Sequence, residues 1–219
     1  MTGSDAAAAV GGPEAGGPTS SPGVTCADGE LAEEHVVLLS ESGEVLGTAP
    51  KADVHTADTP LHLAFSCYVV DDSGRLLLTR RALSKLTWPG VWTNACCGHP
   101  ALGEDLPGAV LRRLAHELGL VGPIDLSPLL PDFRYRAVMD NGIVENEICP
   151  VFLARVRADV VVDPDPTEVA DHRWVTPDEF RDLIDAGDVP VSPWAALQMR
   201  ELDAPGGPGL GERDGSLGR

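Results

Sequence analysis

Between Thr93 and Pro100 the chain sets a thiol, a glycine and an imidazole in succession, Cys97-Gly98-His99. His55 and His62 lie upstream, and Glu145-Asn146-Glu147 lies downstream. In a strand, residues i and i+2 share a face, so Glu145 and Glu147 point the same way. Two carboxylates on one face repel unless water, a cation or a shared proton separates them. Taken alone, such a pair fits a solvent-facing strand at least as well as a site. Its apolar flanks, Ile143, Val144, Ile148, Cys149 and Val151, argue for burial on one side. Should His55, His62 and His99 converge on these carboxylates, the donors suit one borderline divalent cation, Zn²⁺, Mn²⁺ or Mg²⁺. Five protein ligands leave at most one open position, which favours holding and polarising a carboxylate over activating water. Cys97, beside such a centre, is a candidate proton carrier.

Positioning these groups requires a fold of modest size. Residues 1–30 are mostly Ala, Gly, Pro, Ser and Thr, and 203–219 are Gly- and Pro-rich. Such composition buries too little apolar surface to offset chain entropy, so both ends are expected to be disordered tails. A domain over 31–202 remains, about 170 residues. Within it His35–Leu39 and Glu44–Gly47 read as a hairpin, and Lys51–Pro60 as a polar loop. Leu61–Val70 reads as a buried strand returning through Arg75–Arg80, and Val91–Ala95 as extended. Leu106–Leu118 is the clearest helix, with Asp105 as N-cap and Gly119 as stop. Phe133–Met139 and Ile143–Val156 read as strands joined by Asp140-Asn141-Gly142, and Glu168–Val175 as another. Pro177–Ala186 and Pro193–Leu202 read as helices. Strands with interspersed helices define an α+β, or mixed α/β, fold.

The formal net charge of −18 opposes nucleic-acid or anionic-membrane partners. Nine of the sixteen Lys and Arg residues nevertheless fall between Lys51 and Arg136, and none precedes Lys51. That concentration suggests a local anion site, although from charge alone ordinary paired surface charge is the commoner cause. The five cysteines (Cys26, Cys67, Cys96, Cys97, Cys149) form no disulfide-scaffold spacing. With no signal peptide and no membrane-length apolar run, reduced thiols and a cytoplasmic setting are expected. All but Cys97 are read as small buried hydrophobes.

The run Gly98-x5-Glu104-x7-Arg112-Arg113-Leu114-Ala115-His116-Glu117-Leu118-Gly119-Leu120 is similar to the Nudix box, G-x5-E-x7-R-E-U-x-E-E-x-G-U with U apolar. It departs where Arg113 and His116 replace two carboxylates of the cluster that holds the hydrolytic metal in Nudix hydrolases. Glu117 remains. More of the chain resembles the type I isopentenyl diphosphate isomerases, which share the Nudix fold. The matching stretches are His55-Thr-Ala-Asp-Thr-Pro-Leu-His62, Thr79-Arg-Arg-Ala-Leu-Ser-Lys85, Trp88-Pro-Gly-Val-Trp-Thr-Asn94, Cys97-Gly-His-Pro100, Asp132-Phe-Arg-Tyr-Arg136, Gly142-Ile-Val-Glu-Asn-Glu147 and Ser192-Pro-Trp194. Together they span roughly residues 33–202.

The resemblance implies a mixed β-sheet between helices and the interconversion of isopentenyl and dimethylallyl diphosphate. It implies that His55, His62, His99, Glu145 and Glu147 bind one divalent metal. Glu117 would help hold a Mg²⁺ that also meets the substrate diphosphate, and Lys51, Arg81 and Lys85 would bind that diphosphate. Cys97 and Glu147 would be the acid/base pair on opposite faces of the substrate. Tyr135 would assist Glu147, and Trp194 would face the carbocation. A prenyl diphosphate substrate and a monomeric enzyme are the expected partners and state. The alternative is a Nudix diphosphate hydrolase, whose fold would be the same.

Overall fold

The computed structural model describes Met1 and residues 34–210. The expected N-terminal tail beyond Met1, with Cys26, lies outside the described residues, as do residues 211–219.

The chain opens with β1 (His35–Leu39) and β2 (Val45–Pro50), the antiparallel hairpin expected from their spacing. The stretch after Pro50 departs from expectation. Lys51–Val54 forms a short helix, α1, and only the residues from His55 onward are loop. The apolar run after Pro60 is divided at Ala64 into β3 (His62–Leu63) and β4 (Phe65–Asp71). Next come β5 (Leu76–Arg81), β6 (Trp92–Thr93), β7 (Cys96–Gly98), α2 (Leu106–Leu118), β8 (Asp125–Leu130) and β9 (Arg134–Val138). The expected strand 143–156 is also two, β10 (Val144–Ile148) and β11 (Val151–Val156). Pro150 separates them, since a residue without N–H cannot continue a ladder. The chain then forms β12 (Val169–Val175), α3 (Pro177–Ala186) and α4 (Pro193–Leu202).

Two mixed sheets result. One has the order β2-β1-β3-β10-β9; the other has β12-β5-β4-β11-β8, with β6 on β5 and β7 on β4. The two breaks lie side by side. β3 and β10 pair in parallel, as do β4 and β11. Across the breaks Ala64 N–H donates to Ile148 O at 2.9 Å and Ser66 N–H to Pro150 O at 3.1 Å. Two lengths of chain thus pass together from the first sheet into the second.

Sequence alternation sorts the second sheet's side chains into two cores. Tyr68, Val70, Leu76, Leu78, Val151 and Leu153 face Phe180 of α3 and Ala195, Met199 and Leu202 of α4. Cys67, Val69, Leu77, Phe152 and Ala154 face Ala109, Val110, Leu114 and Leu118 of α2. Burial on both faces is why these strands read as unbroken apolar runs. Helix α2 keeps its expected ends: Asp105 accepts from Gly108 N–H, and Gly119 takes the left-handed conformation at φ 65°. A Cβ there would also lie 3.0 Å from Asp163 O. The ordered chain runs past 202. Asp203 pairs with Arg181 at 2.7 Å, and Leu210 is buried in the core.

Candidate active site

The seam between the sheets brings the histidines and carboxylates together. His62 on β3 stands opposite Glu147 on β10, and Glu147 stands opposite Tyr135 on β9. Residues directly opposed share a face, so Glu147 is flanked by an imidazole and a phenol. The loop after α1 is pinned to the same strand by Val144 N–H donating to Thr56 O (2.9 Å) and Asn146 Nδ2 to Thr59 O (3.2 Å). That pinning sets His55 Nε2 3.1 Å from Glu145 Oε2. His99 arrives just after β7, whose Cys97 pairs with Ser66. The intervening Gly98 is required by close packing, because a Cβ would meet Phe65 Cζ at 3.0 Å and Arg113 Cγ at 3.1 Å.

The three imidazole centroids lie 5.2–5.9 Å apart. His99 Nε2 and His62 Nε2 approach the same Glu147 Oε1, at 3.3 and 3.4 Å. His55, His62, His99 and Glu147 each offer a ligand atom within 4.8 Å of the others. Glu145, at 5% exposure, joins through His55.

The donor set fits a divalent cation. His62 Nδ1–H donates to Pro60 O at 2.9 Å, which turns its Nε2 toward the Glu147 carboxylate, 3.4 Å away. His55 Nε2, His62 Nε2 and Glu145 Oε2 are buried without a hydrogen-bond partner. Imidazole nitrogens and carboxylate oxygens converging at these distances are what a divalent cation satisfies. The titration of the cluster agrees. Burial alone would raise the Glu147 carboxyl, but hydrogen bonds from His62 and His99 and their charge hold it well below the usual range. Burial pulls His99 down; His62, which burial also opposes, is raised on balance by Glu147 and the Pro60 carbonyl.

A cavity of about 390 Å³ opens beside the cluster, a size suited to a small organic ligand. One wall is His55, His99, Glu145 and Glu147; Cys97, Tyr135 and Trp194 form the interior; Lys51, Arg81, Lys85 and Arg113 edge it. All the expected substrate-binding residues are here. His62 lies behind the wall, fully buried, and Glu117 lies outside this cavity. Glu117 borders a small recess shared with Arg81, Lys85 and Cys97. Its Oε1 takes both Arg113 contacts, at 2.6 and 2.7 Å. The other box residues are structural: Arg112 forks onto Glu104 with two bonds of 2.7 Å.

Trp194 is 3% exposed and stacks among Trp88 (5.6 Å, edge to face), Tyr135 (5.8 Å) and the Arg81 guanidinium (5.5 Å). Trp88 takes φ +43°, a left-handed conformation costing a bulky residue about 1–3 kcal/mol. It is held there by Arg81, whose guanidinium donates to the Thr87 and Trp88 carbonyls at 2.8–3.2 Å. Burial pushes the Cys97 thiol up to about 11, with hydrogen bonds to Ser66 and Asn94 opposing.

Sequence reasoning missed the counter-ions of the basic rim. Glu34 holds Lys51 (2.5 Å) and contacts Arg113 (3.4 Å), while Glu168 is bonded to Lys85 and lies 3.3 Å from Arg113. Nothing in their own neighbourhoods signals this. Arg113 was legible only as the substitution in the box.

The NUDIX domain family matches residues 60–195. The isopentenyl-diphosphate Delta-isomerase of Mycolicibacterium vanbaalenii is 58% identical over 181 residues, 83% of this chain and 96% of that protein. The chain belongs to the isopentenyl-diphosphate Delta-isomerases. The enzyme of that name from Paenarthrobacter aurescens is 53% identical over 78% of this chain and 91% of its own length. Among solved structures, DR0079 of Deinococcus radiodurans superposes with a TM-score of 0.61 at 21% identity, over 76% of this chain and 98% of that one. That likeness speaks to the fold alone. The expected α+β Nudix architecture is the one observed. No helix among the described residues is long and apolar enough to cross a membrane.

Proposed function

We propose that this isomerase interconverts isopentenyl and dimethylallyl diphosphate in the cavity between the His/Glu cluster and the basic rim. One observation carries the reading: a single cavity joins two separate proton carriers, Cys97 and Glu147, to an aromatic floor and a cationic edge. A double bond moves by one carbon when a proton is added at the terminal methylene and another leaves the carbon nearer the diphosphate. The intermediate has tertiary-carbocation character and needs a dry pocket with an electron-rich face. Trp194 supplies that face, an interaction of ~2 kcal/mol when desolvated. Tyr135, opposite Glu147 in register, assists the carboxyl. Lys51, Arg81 and Lys85 bind the diphosphate.

In this reading His55, His62, His99, Glu145 and Glu147 hold one divalent cation, Mn²⁺, Zn²⁺ or Mg²⁺, and Glu117 holds a Mg²⁺ shared with the diphosphate. A cation bound to the cluster lowers the pKa of a ligand carboxyl and makes it a stronger acid. All these groups come from one chain, which favours activity as a monomer, and the cytoplasm is the proposed compartment. A proton-NMR time course of isopentenyl diphosphate with the protein tests the reading. A shifted alkene with intact diphosphate is expected. Released phosphate with an unshifted alkene would point to a hydrolase instead.

A further inference from the structure

Asn94 is fully buried between β6 and β7. Its Nδ2 donates to two backbone carbonyls, Cys67 O at 3.0 Å and Cys96 O at 2.9 Å. Both amide protons are thereby used, and the orientation of the amide is fixed. Its Oδ1 accepts three hydrogen bonds. The Thr93 hydroxyl donates at 2.8 Å, the Cys97 thiol at 3.3 Å and the Trp194 indole N–H at 3.2 Å. Thr93 is itself anchored on Ser192, the N-cap of the helix that carries Trp194.

We infer that Asn94 is a positioning residue that holds the Cys97 thiol and the Trp194 ring in one fixed relation. The thiol and the ring come from elements far apart in sequence, and each has rotational freedom of its own. A single carbonyl oxygen, immobilised by two donors behind it, removes both freedoms together. Ser66 secures the other side of the sulfur. Gln198 Nε2–H donates to Ser66 Oγ at 3.0 Å, which leaves the Ser66 hydroxyl proton available to the Cys97 sulfur at 3.3 Å. The thiol is held between a donor and an acceptor, with its proton directed at Asn94. This rests on the isomerase reading, in which Cys97 carries the proton of one face and Trp194 meets the charge that develops.

The test is steady-state kinetics of Asn94→Ala and Thr93→Val, with active-site concentration measured by titration. Asn94 lines none of the cationic edge, so its loss alters the reacting end and not the diphosphate end. For Asn94→Ala, kcat per active site is expected to fall by about 100-fold, the scale of an ångström-sized misplacement, with KM within about twofold of wild type. Removal of the proton next to the diphosphate-bearing carbon should also lose stereochemical fidelity, read with substrate deuterated on one face. A merely structural Asn94 would lower the folded fraction and leave kcat per active site and stereochemistry intact; that result overturns the inference. If Asn94→Ala does not fold, Thr93→Val decides, since it keeps side-chain shape and removes one of the three donors that hold the Asn94 oxygen. A smaller fall in kcat at constant KM supports the inference, and an unchanged kcat overturns it. A wild-type protein that never shifts the alkene defeats the functional reading instead, so the two failures are distinct.

Discussion

The two ends of the cavity are built on opposite electrostatic plans. In the His/Glu cluster, three imidazole nitrogens and a Glu147 oxygen converge within 4.8 Å of one another, and His55 Nε2, His62 Nε2 and Glu145 Oε2 are buried without a hydrogen-bond partner. Along the basic rim, Lys51, Lys85 and Arg113 each have a carboxylate already in contact: Glu34, Glu168 and Glu117. The first end offers its donors to a cation. The second is charge-compensated and gives up its partners only to a stronger anion. Buried polar atoms without partners are costly, and so is breaking the buried Arg113–Glu117 pair, whereas the more exposed Lys51–Glu34 pair costs little to rearrange.

The largest effect is expected at the proposed proton carriers. Cys97→Ala should remove isomerisation by a factor of about 10²–10⁴ while metal analysis shows the cluster still loaded. Wild-type turnover in that variant would remove Cys97 from the chemistry. Glu147→Gln should be as inactive and also lose metal, because the same oxygen faces His62 and His99.

Next in size is the cluster itself. Chelation of divalent metal should lower the melting temperature of the wild type. A ligand at a hundred times its Kd contributes about 2.7 kcal/mol, and each kcal/mol moves a domain of this size by about 2–4 °C. His62→Ala should bind less metal and show no such response to the chelator. Equal metal content in the two proteins would mean that the cation sits elsewhere.

The rim should respond to pH instead. Burial, and then the nearby Arg81 guanidinium, pull the Lys85 ammonium down to about 8. In its proposed role the charged form binds diphosphate, so binding should be fully present below that pH and be lost as pH rises through it. KM should rise by roughly tenfold per pH unit above it if Lys85 alone governs the limb. Lys85→Arg, which stays charged, should flatten that limb. A KM that rises identically in both proteins would assign the titration to another group. The smallest effect belongs to Glu34→Gln. Glu34 is more than half exposed, and an exposed pair contributes about 0.2–1 kcal/mol. Freed of it, Lys51 should bind diphosphate slightly better, a fall in KM of less than about fivefold. A rise in KM would show that Glu34 positions Lys51 more than it competes for it.

Much of this was legible in the chain. Helices α2, α3 and α4 carried their own boundaries, because Asp105, Thr176 and Ser192 cap them and a proline stands within the first two positions of each. The same-face geometry of Glu145 and Glu147 followed from strand periodicity, and the structure buries both. The breaks at Ala64 and Pro150 were not legible as changes of sheet. Alternation along a strand says which residues share a face and nothing about which sheet the strand joins. β8 was missed because Asp125–Leu130 contains a proline and an exposed, mixed pattern; it is an edge strand held only by β11. The expectation of a loop at Lys51–Val54 failed for a similar reason, since a single turn of helix has too few residues to show a period. The convergence of His55, His62 and His99 came into the sequence reading through family resemblance, because no spacing rule links residues so far apart.

The paired crossings at Ala64 and Pro150 have a consequence for how the molecule comes into being. β3 and β4 leave the ribosome long before β10 and β11, yet each finds its parallel neighbour only in the later segment. Pairings between such distant stretches close large loops and come late, since the entropy of closure is lost before any contact compensates it. A nascent chain that ends before Val144 has all three histidines and neither Glu145 nor Glu147. In the proposed ligand set, the site therefore cannot be complete before Glu147 has been made. Register is equally consequential there: a slip of one residue between β3 and β10 would turn Glu145 and Glu147 to the far side of the sheet, leaving a well-formed ladder around a site with no carboxylates.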